Sequence, residues 1–161
     1  MTVNSIPISQ IMVLLEGAKR SGVSVEELLT ESGIDPRVLR ESDGRIDKRL
    51  FIQLMLTAMR RTEDEFIGFG EGRVSKPGTF SMMAHAVINC ATLEKAIRRA
   101  VKFYELFDLA IVGRLLQTED EACIRFVSRA EINFRPYIME AVVFLGVRFL
   151  SWLIGQQIVP K

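Results

Sequence analysis

The stretch from Ile138 to Gly155, IMEAVVFLGVRFLSWLIG, limits the possible folds of this chain more than any other. It is 18 residues long and carries two charges, Glu140 and Arg148. On a helical wheel Glu140, Phe144, Arg148 and Ser151 share one narrow strip, and nearly everything else is apolar. Such a helix has to be buried on most sides, in a core or at a subunit interface. A bilayer is the third possible surrounding. A span needs about 20 apolar residues, and each charge at mid-membrane costs about 2.5–3.5 kcal/mol. Two charges outweigh the gain, so no membrane partner is expected. Leu150, Trp152, Leu153 and Ile154 fall on several sides of the helix, and few residues follow to cover them. A homodimer is therefore expected, packed through this helix or through the face it forms with a helix at Thr92–Phe107. The alternative is a central helix wrapped by the rest of the chain.

The second informative stretch is Lys76–Phe107, KPGTFSMMAHAVINCATLEKAIRRAVKFYELF. Pro77-Gly78 breaks whatever precedes it, because proline cannot continue a helix and glycine relaxes the backbone. A Met-rich helix follows, with the chain's only histidine, His85. Thr92 is a good N-cap, and Glu94 sits in the first turn, where the helix dipole favours negative charge. Leu93, Ile97, Ala100, Val101, Tyr104 and Phe107 then recur at helical spacing and make one apolar face. Lys95, Arg98, Arg99 and Lys102 make the opposite face, read as a solvated surface or a contact for a partner domain.

Elsewhere the signals are local. Ile8, Ile11, Met12, Leu15 and Ala18 form an apolar stripe ended at Gly22. Ser24 with Glu27 is a capping box for a short helix to Ser32, stopped by Gly33. Asp35-Pro36 opens another helical turn. Asp47 caps a longer helix through Arg61, with Leu50, Phe51, Leu54, Met55 and Ala58 inward, and Asp64 starts a short helix to about Gly70. Leu109–Leu116 and Ala122–Ser128 alternate as the two strands of a hairpin. The expected fold class is helix-rich α+β with a small antiparallel sheet, the hairpin at about 109–128, in a single domain over 1–161. Two strands make a weak sheet, to be completed by the Asn4–Ile8 segment, by further sequence or by a second copy.

The order of these pieces resembles the N-terminal effector-sensing domain of AraC/XylS-type bacterial transcription regulators, in the group labelled arabinose-binding-domain-like. The resemblance is carried by Pro77, Gly78, Phe80, Met82, Met83, Thr92, Leu93, Phe103, Tyr104 and Leu106. Arg148-Phe-Leu-Ser-Trp-Leu-Ile-Gly155 and the start, GVSVEELLTESGIDPRVL after an amphipathic helix, carry it further. Ser81, Ala84 and His85 depart from the family, many of whose members have glycines or other residues there. The resemblance implies a non-enzymatic, cytoplasmic sensor that binds a small-molecule effector and dimerises. It also implies that DNA is contacted only by a C-terminal domain lying outside this sequence. Some relatives resemble the haem-dependent nitric-oxide-sensor fold in architecture, without haem carried across.

Composition agrees. There are 21 Lys plus Arg against 20 Asp plus Glu, whereas a phosphate-binding surface needs a basic excess. The segment from Ser24 to Asp47 has a helix-turn-helix rhythm, but its seven acids against three bases would be repelled by phosphate. Gly68-Phe-Gly70-Glu-Gly72 lacks both the third glycine of a dinucleotide fingerprint and the Lys-Ser/Thr of a P-loop. It reads as a helix end. Cys90 and Cys123 are in no metal-like spacing and read as free, buried thiols in a reducing setting. Met1–Pro7 lacks the features of a signal peptide. A single histidine allows no His-rich zinc site, and no nucleophile motif is present. No cofactor, metal or catalytic residue is expected.

For the effector, the expected lining is Phe80, Met83, His85, Tyr104 and Arg148, between the Met-rich helix, the aromatic helix and the hairpin. Phe80, Met83 and Tyr104 would supply surface and His85 a hydrogen bond. Arg148 would supply a fork for a carboxylate, or else bridge to Glu140. The competing readings are an interaction module with no ligand, and a small acid–base enzyme holding His85 beside a carboxylate.

Overall fold

A computed structural model describes residues 4–40, 43–118, 121–129 and 135–159. The chain divides into two compact units, Met1–Pro77 and Gly78–Lys161. The class is α+β, as expected: among the described residues there are six α-helices and two separate two-stranded antiparallel sheets.

The first unit runs β1 (Ser5–Pro7), α1 (Ile8–Arg20), α2 (Val25–Glu31), a 3-10 turn (Pro36–Arg40), β2 (Arg45–Asp47) and α3 (Lys48–Thr62). Strand β1 pairs with β2, Ile6 opposite Ile46. The Asn4–Ile8 segment thus closes its own sheet instead of extending the hairpin. Caps act where the residue types place them. Ser24 accepts from the Glu27 N–H and Asp47 from the Arg49 N–H. The capping box is only half made, because the Glu27 carboxylate turns to Arg61 at 2.7 Å. Glu31 pairs with both Arg60 and Arg61, so two acids of the acidic 24–47 segment hold α2 to α3. The side-chain hydrogen bond from Arg37 holds the exposed Asp35 carboxyl down to about 2.

Ile8, Ile11, Leu14, Leu15, Ala18, Leu28, Leu29, Ile34, Ile46, Leu54, Ala58 and Ile67 form the core of this unit. Two expected core residues face out. The buried arc of α1 is centred nearer Ala18 than Ile8, taking in Leu14 and Gly17 and leaving Met12 49% exposed. Leu50 lies one turn ahead of Leu54, in the first turn of α3, and is also exposed. Thr57 takes a buried place instead, and its hydroxyl has no hydrogen-bond partner among the described residues. Because an unsatisfied buried hydroxyl costs about 1–3 kcal/mol, Thr57→Val is expected to raise stability by about 1 kcal/mol in urea unfolding. A loss of stability would show that the hydroxyl is satisfied in solution.

The short helix expected at 64–70 does not form. The buried Asp64 carboxylate accepts from three backbone N–H groups, Phe66 (3.0 Å), Gly68 (3.0 Å) and Ser75 (2.9 Å). These bonds wind the chain into a series of turns, with Ile67 at φ +50° and Gly68 at +79°, conformations that no right-handed helix contains.

The second unit runs α4 (Thr79–Val87), α5 (Leu93–Tyr104), β3 (Ile111–Gln117), β4 (Ala122–Ser128) and α6 (Arg135–Ile154). The hairpin forms in the expected place, starting two residues later, with Gly113 opposite Phe126 and Leu115 opposite Ile124. Gln117 pairs with Ala122 at its tip, where 119–120 lie outside the described residues. Helix α5 ends at Tyr104, so Phe107 lies beyond it, in a turn, and is 38% exposed.

Candidate functional site

Gly78, at φ +100°, opens α4 just after Pro77. Met83 and Val87, one turn apart, point to the same side and are buried. The Thr92 hydroxyl caps α5 by accepting from the Lys95 N–H at 3.2 Å. Half of the basic face of α5 is used internally. Arg98 donates to Glu94 (2.8 Å) and to Gln117 on β3 (2.5 Å), while Arg99 donates to the Ala86 carbonyl of α4 (3.0 Å). Lys95 and Lys102 remain exposed.

These brackets press α4 onto α5 around Met83, Val87 and Ala96, with Cys90, Ala100, Phe103, Tyr104, Phe149 and Leu153 packed against them. Met83 and Tyr104 therefore belong to one cluster. Phe80 joins its edge: the ring is 42% exposed and meets Phe149 edge-on, centroids 5.2 Å apart. The other two expected site residues stand elsewhere. His85 is two positions from Met83, about 200° around the helix, and is exposed. Among the described residues it bonds to no carboxylate, and no three metal-ligating side chains gather. Arg148 borders an open depression of about 330 Å³ with Ser151, Trp152, Gly155, Gln156 and Gln157. The alternative bridge from Arg148 to Glu140 does not form. Eight residues along a helix are about 12 Å, beyond the reach of a direct pair.

Cys90 is half-buried and Cys123 exposed, both as free thiols. The expectation of two buried thiols thus fails at Cys123, because Cys123 shares the exposed face of the hairpin with Arg114, Arg125 and Leu116.

Helix α6 is not wrapped by its neighbours. Ile138 is buried, and Phe149 and Leu153 pack into the cluster. Val143 (40%), Phe144 (64%), Leu145 (58%) and Trp152 (62%) are exposed. The helix is long and apolar enough to cross a membrane by length and composition alone. Its end is sharply defined. Gly155, at φ +65°, sends its N–H to the Trp152 carbonyl, and the Gln156 N–H goes to that of Ser151, the double bond of a Schellman stop.

The sequence matches the family model described as the arabinose-binding domain of AraC transcription regulators, N-terminal, over residues 22–161. The chain belongs to that family. The relatives of this AraC-type domain include the ornithine utilization regulator of Pseudomonas aeruginosa, 28% identical over 126 residues, or 78% of this chain and 37% of that protein. Two uncharacterized HTH-type transcriptional regulators, from Mycobacterium bovis and Mycobacterium tuberculosis, are each 25% identical over 138 residues, 83% of this chain and 40% of theirs. The chain thus spans about two fifths of the length of the curated relatives it matches. No solved structure gives a significant match.

Proposed function

We propose that this AraC-type domain is a non-enzymatic sensor: it binds a small metabolite in the cytoplasm, dimerises, and sets the placement of DNA-binding domains carried on another part of the regulator. The family match over 22–161 carries this reading, supported by relatives named as transcriptional regulators. The near-balance of charge on the chain favours DNA contact by a separate domain.

The effector contact is assigned to the α4–α5–α6 cluster, where Met83 is buried, Tyr104 packs beside it and the half-exposed Phe80 meets Phe149 at the edge. Sites for small metabolites are lined mostly by apolar and aromatic side chains with few polar groups, and this cluster offers such side chains. His85 and Arg148 point away from this cluster. In a thermal-shift screen of amino acids, ornithine included, and of sugars, arabinose included, at least one compound should raise Tm by several degrees. Phe80→Ala should weaken its binding about fivefold, while the exposed ring's removal leaves the fold intact. If no compound shifts Tm, or the compound that does is indifferent to Phe80→Ala, the site is refuted. The exposed face of α6 favours a second reading, an interaction module without ligand, and that reading predicts a flat screen.

A further inference from the structure

The exposed side of α6 is organised around one residue. At 100° per residue, Glu140, Phe144 and Arg148 follow one another a turn apart on one side, with Val143 and Leu145 flanking Phe144 and Trp152 continuing the strip. All six are exposed. Glu140 stands about 6 Å before Phe144 along the axis and Arg148 about 6 Å after it. Neither charge has a partner among the described residues, and they are too far apart to serve each other. The strip is therefore charge-antisymmetric about Phe144: acid on one side, base on the other, apolar between.

We propose that α6 packs antiparallel against α6 of a second copy, across a two-fold axis at Phe144, so that Glu140 of each chain pairs with Arg148 of the partner subunit. This rests on the homodimer reading above and specifies its interface. An antiparallel two-fold places residue 144 + k opposite residue 144 − k, so both charges are answered at once and Leu145 meets Val143 of the partner subunit. Trp152 then lies over the partner's first helical turn, where Tyr137 of the partner subunit stands. Parallel pairing in register would set Glu140 against Glu140 and Arg148 against Arg148, which like-charge repulsion disfavours. A bilayer would cover the apolar residues but leave both charges without partners at their cost in hydrocarbon. A second copy answers apolar surface and charge together.

The test is light scattering of the 161-residue chain at micromolar concentration, with the emission of Trp152, the only tryptophan, as a second readout. A dimer is expected, with Trp152 emission shifting to the blue and shielded from quencher as concentration rises. Arg148→Glu and Glu140→Arg should each weaken dimerisation at least about tenfold, while the double variant E140R/R148E restores it. Circular dichroism on every variant separates lost pairing from lost folding. A wild-type monomer overturns the dimer itself. A dimer indifferent to both single reversals overturns the α6 pairing and leaves dimerisation standing. Transfer of Trp152 into lipid vesicles in place of self-association overturns the proposal in favour of a membrane.

Discussion

Asp64→Ala is expected to lower stability by about 3 kcal/mol, read as a fall in the urea midpoint followed by circular dichroism. One buried carboxylate holds the N–H groups of Phe66, Gly68 and Ser75. Hydrogen bonds to an ionised acceptor contribute about 1.5–3 kcal/mol each, and relaxation of the loop, which lets water reach the freed donors, offsets part of their sum. The loop they hold is also strained: Glu63, Ile67 and Glu71 all sit at φ near +50°, uncommon for residues with a Cβ and an outlier for branched Ile67. Ile67 tolerates this because its side chain reaches the core with Ile11 and Leu54. Without Asp64 the loop is free to relax and to withdraw Ile67. Asp64→Asn keeps one acceptor oxygen and should lie between wild type and alanine. A change under about 1 kcal/mol for alanine would mean that burial of Ile67 alone holds the loop.

Gly17→Ala is the second large effect expected, about 2–3 kcal/mol. Alanine usually stabilises a helix relative to glycine by about 1 kcal/mol, so the prediction reverses the ordinary sign. A Cβ at position 17 would stand 2.4 Å from the Ile67 carbonyl oxygen and 2.5 Å from the Phe69 ring. A Cβ at Gly68 would in turn stand 2.4 Å from the Gly17 carbonyl oxygen. Two glycines let the backbone of α1 lie directly on the 66–70 loop, and backbone cannot yield as a flexible side chain can. Urea unfolding measures the effect, and a stabilised Gly17→Ala chain would show that the loop moves away at little cost. With Asp64→Ala in the same chain the two losses should fall short of additive, since both act on one loop.

Much of the fold was legible because its signals are short-range. The Thr92, Ser24 and Asp47 caps, the Pro77-Gly78 break and the alternation of 111–128 each act within a few residues. The capped helices and the hairpin appear where those signals stand. The 64–70 segment is ambiguous in sequence because Asp64 can cap a helix or clasp a loop. The deciding bond, to the Ser75 N–H, comes from eleven residues away, and no local pattern announces it. The Gly17–Gly68 contact is equally silent. Glycine at position 17 has no local purpose in α1, and only the packed loop supplies one.

The candidate site divides on the same line. Met83 and Tyr104 share one cluster because helical periodicity sets the apolar face of each helix, and periodicity is written in the sequence. His85 and Arg148 have the chemistry of a binding site, yet which way a polar side chain points depends on which side of its helix a neighbour covers. Helix α6 shows this most plainly. Its sequence determined that it is apolar nearly all round, that Glu140 and Arg148 flank Phe144 on one strip, and that it stops at Gly155. Only the packed structure decided that Phe149 and Leu153 face α4 and α5 while Phe144 and Trp152 do not. On a helix apolar on most sides, the several orientations that keep Glu140 and Arg148 in water bury similar amounts of hydrocarbon. Only the shape of what α4 and α5 present tells those orientations apart.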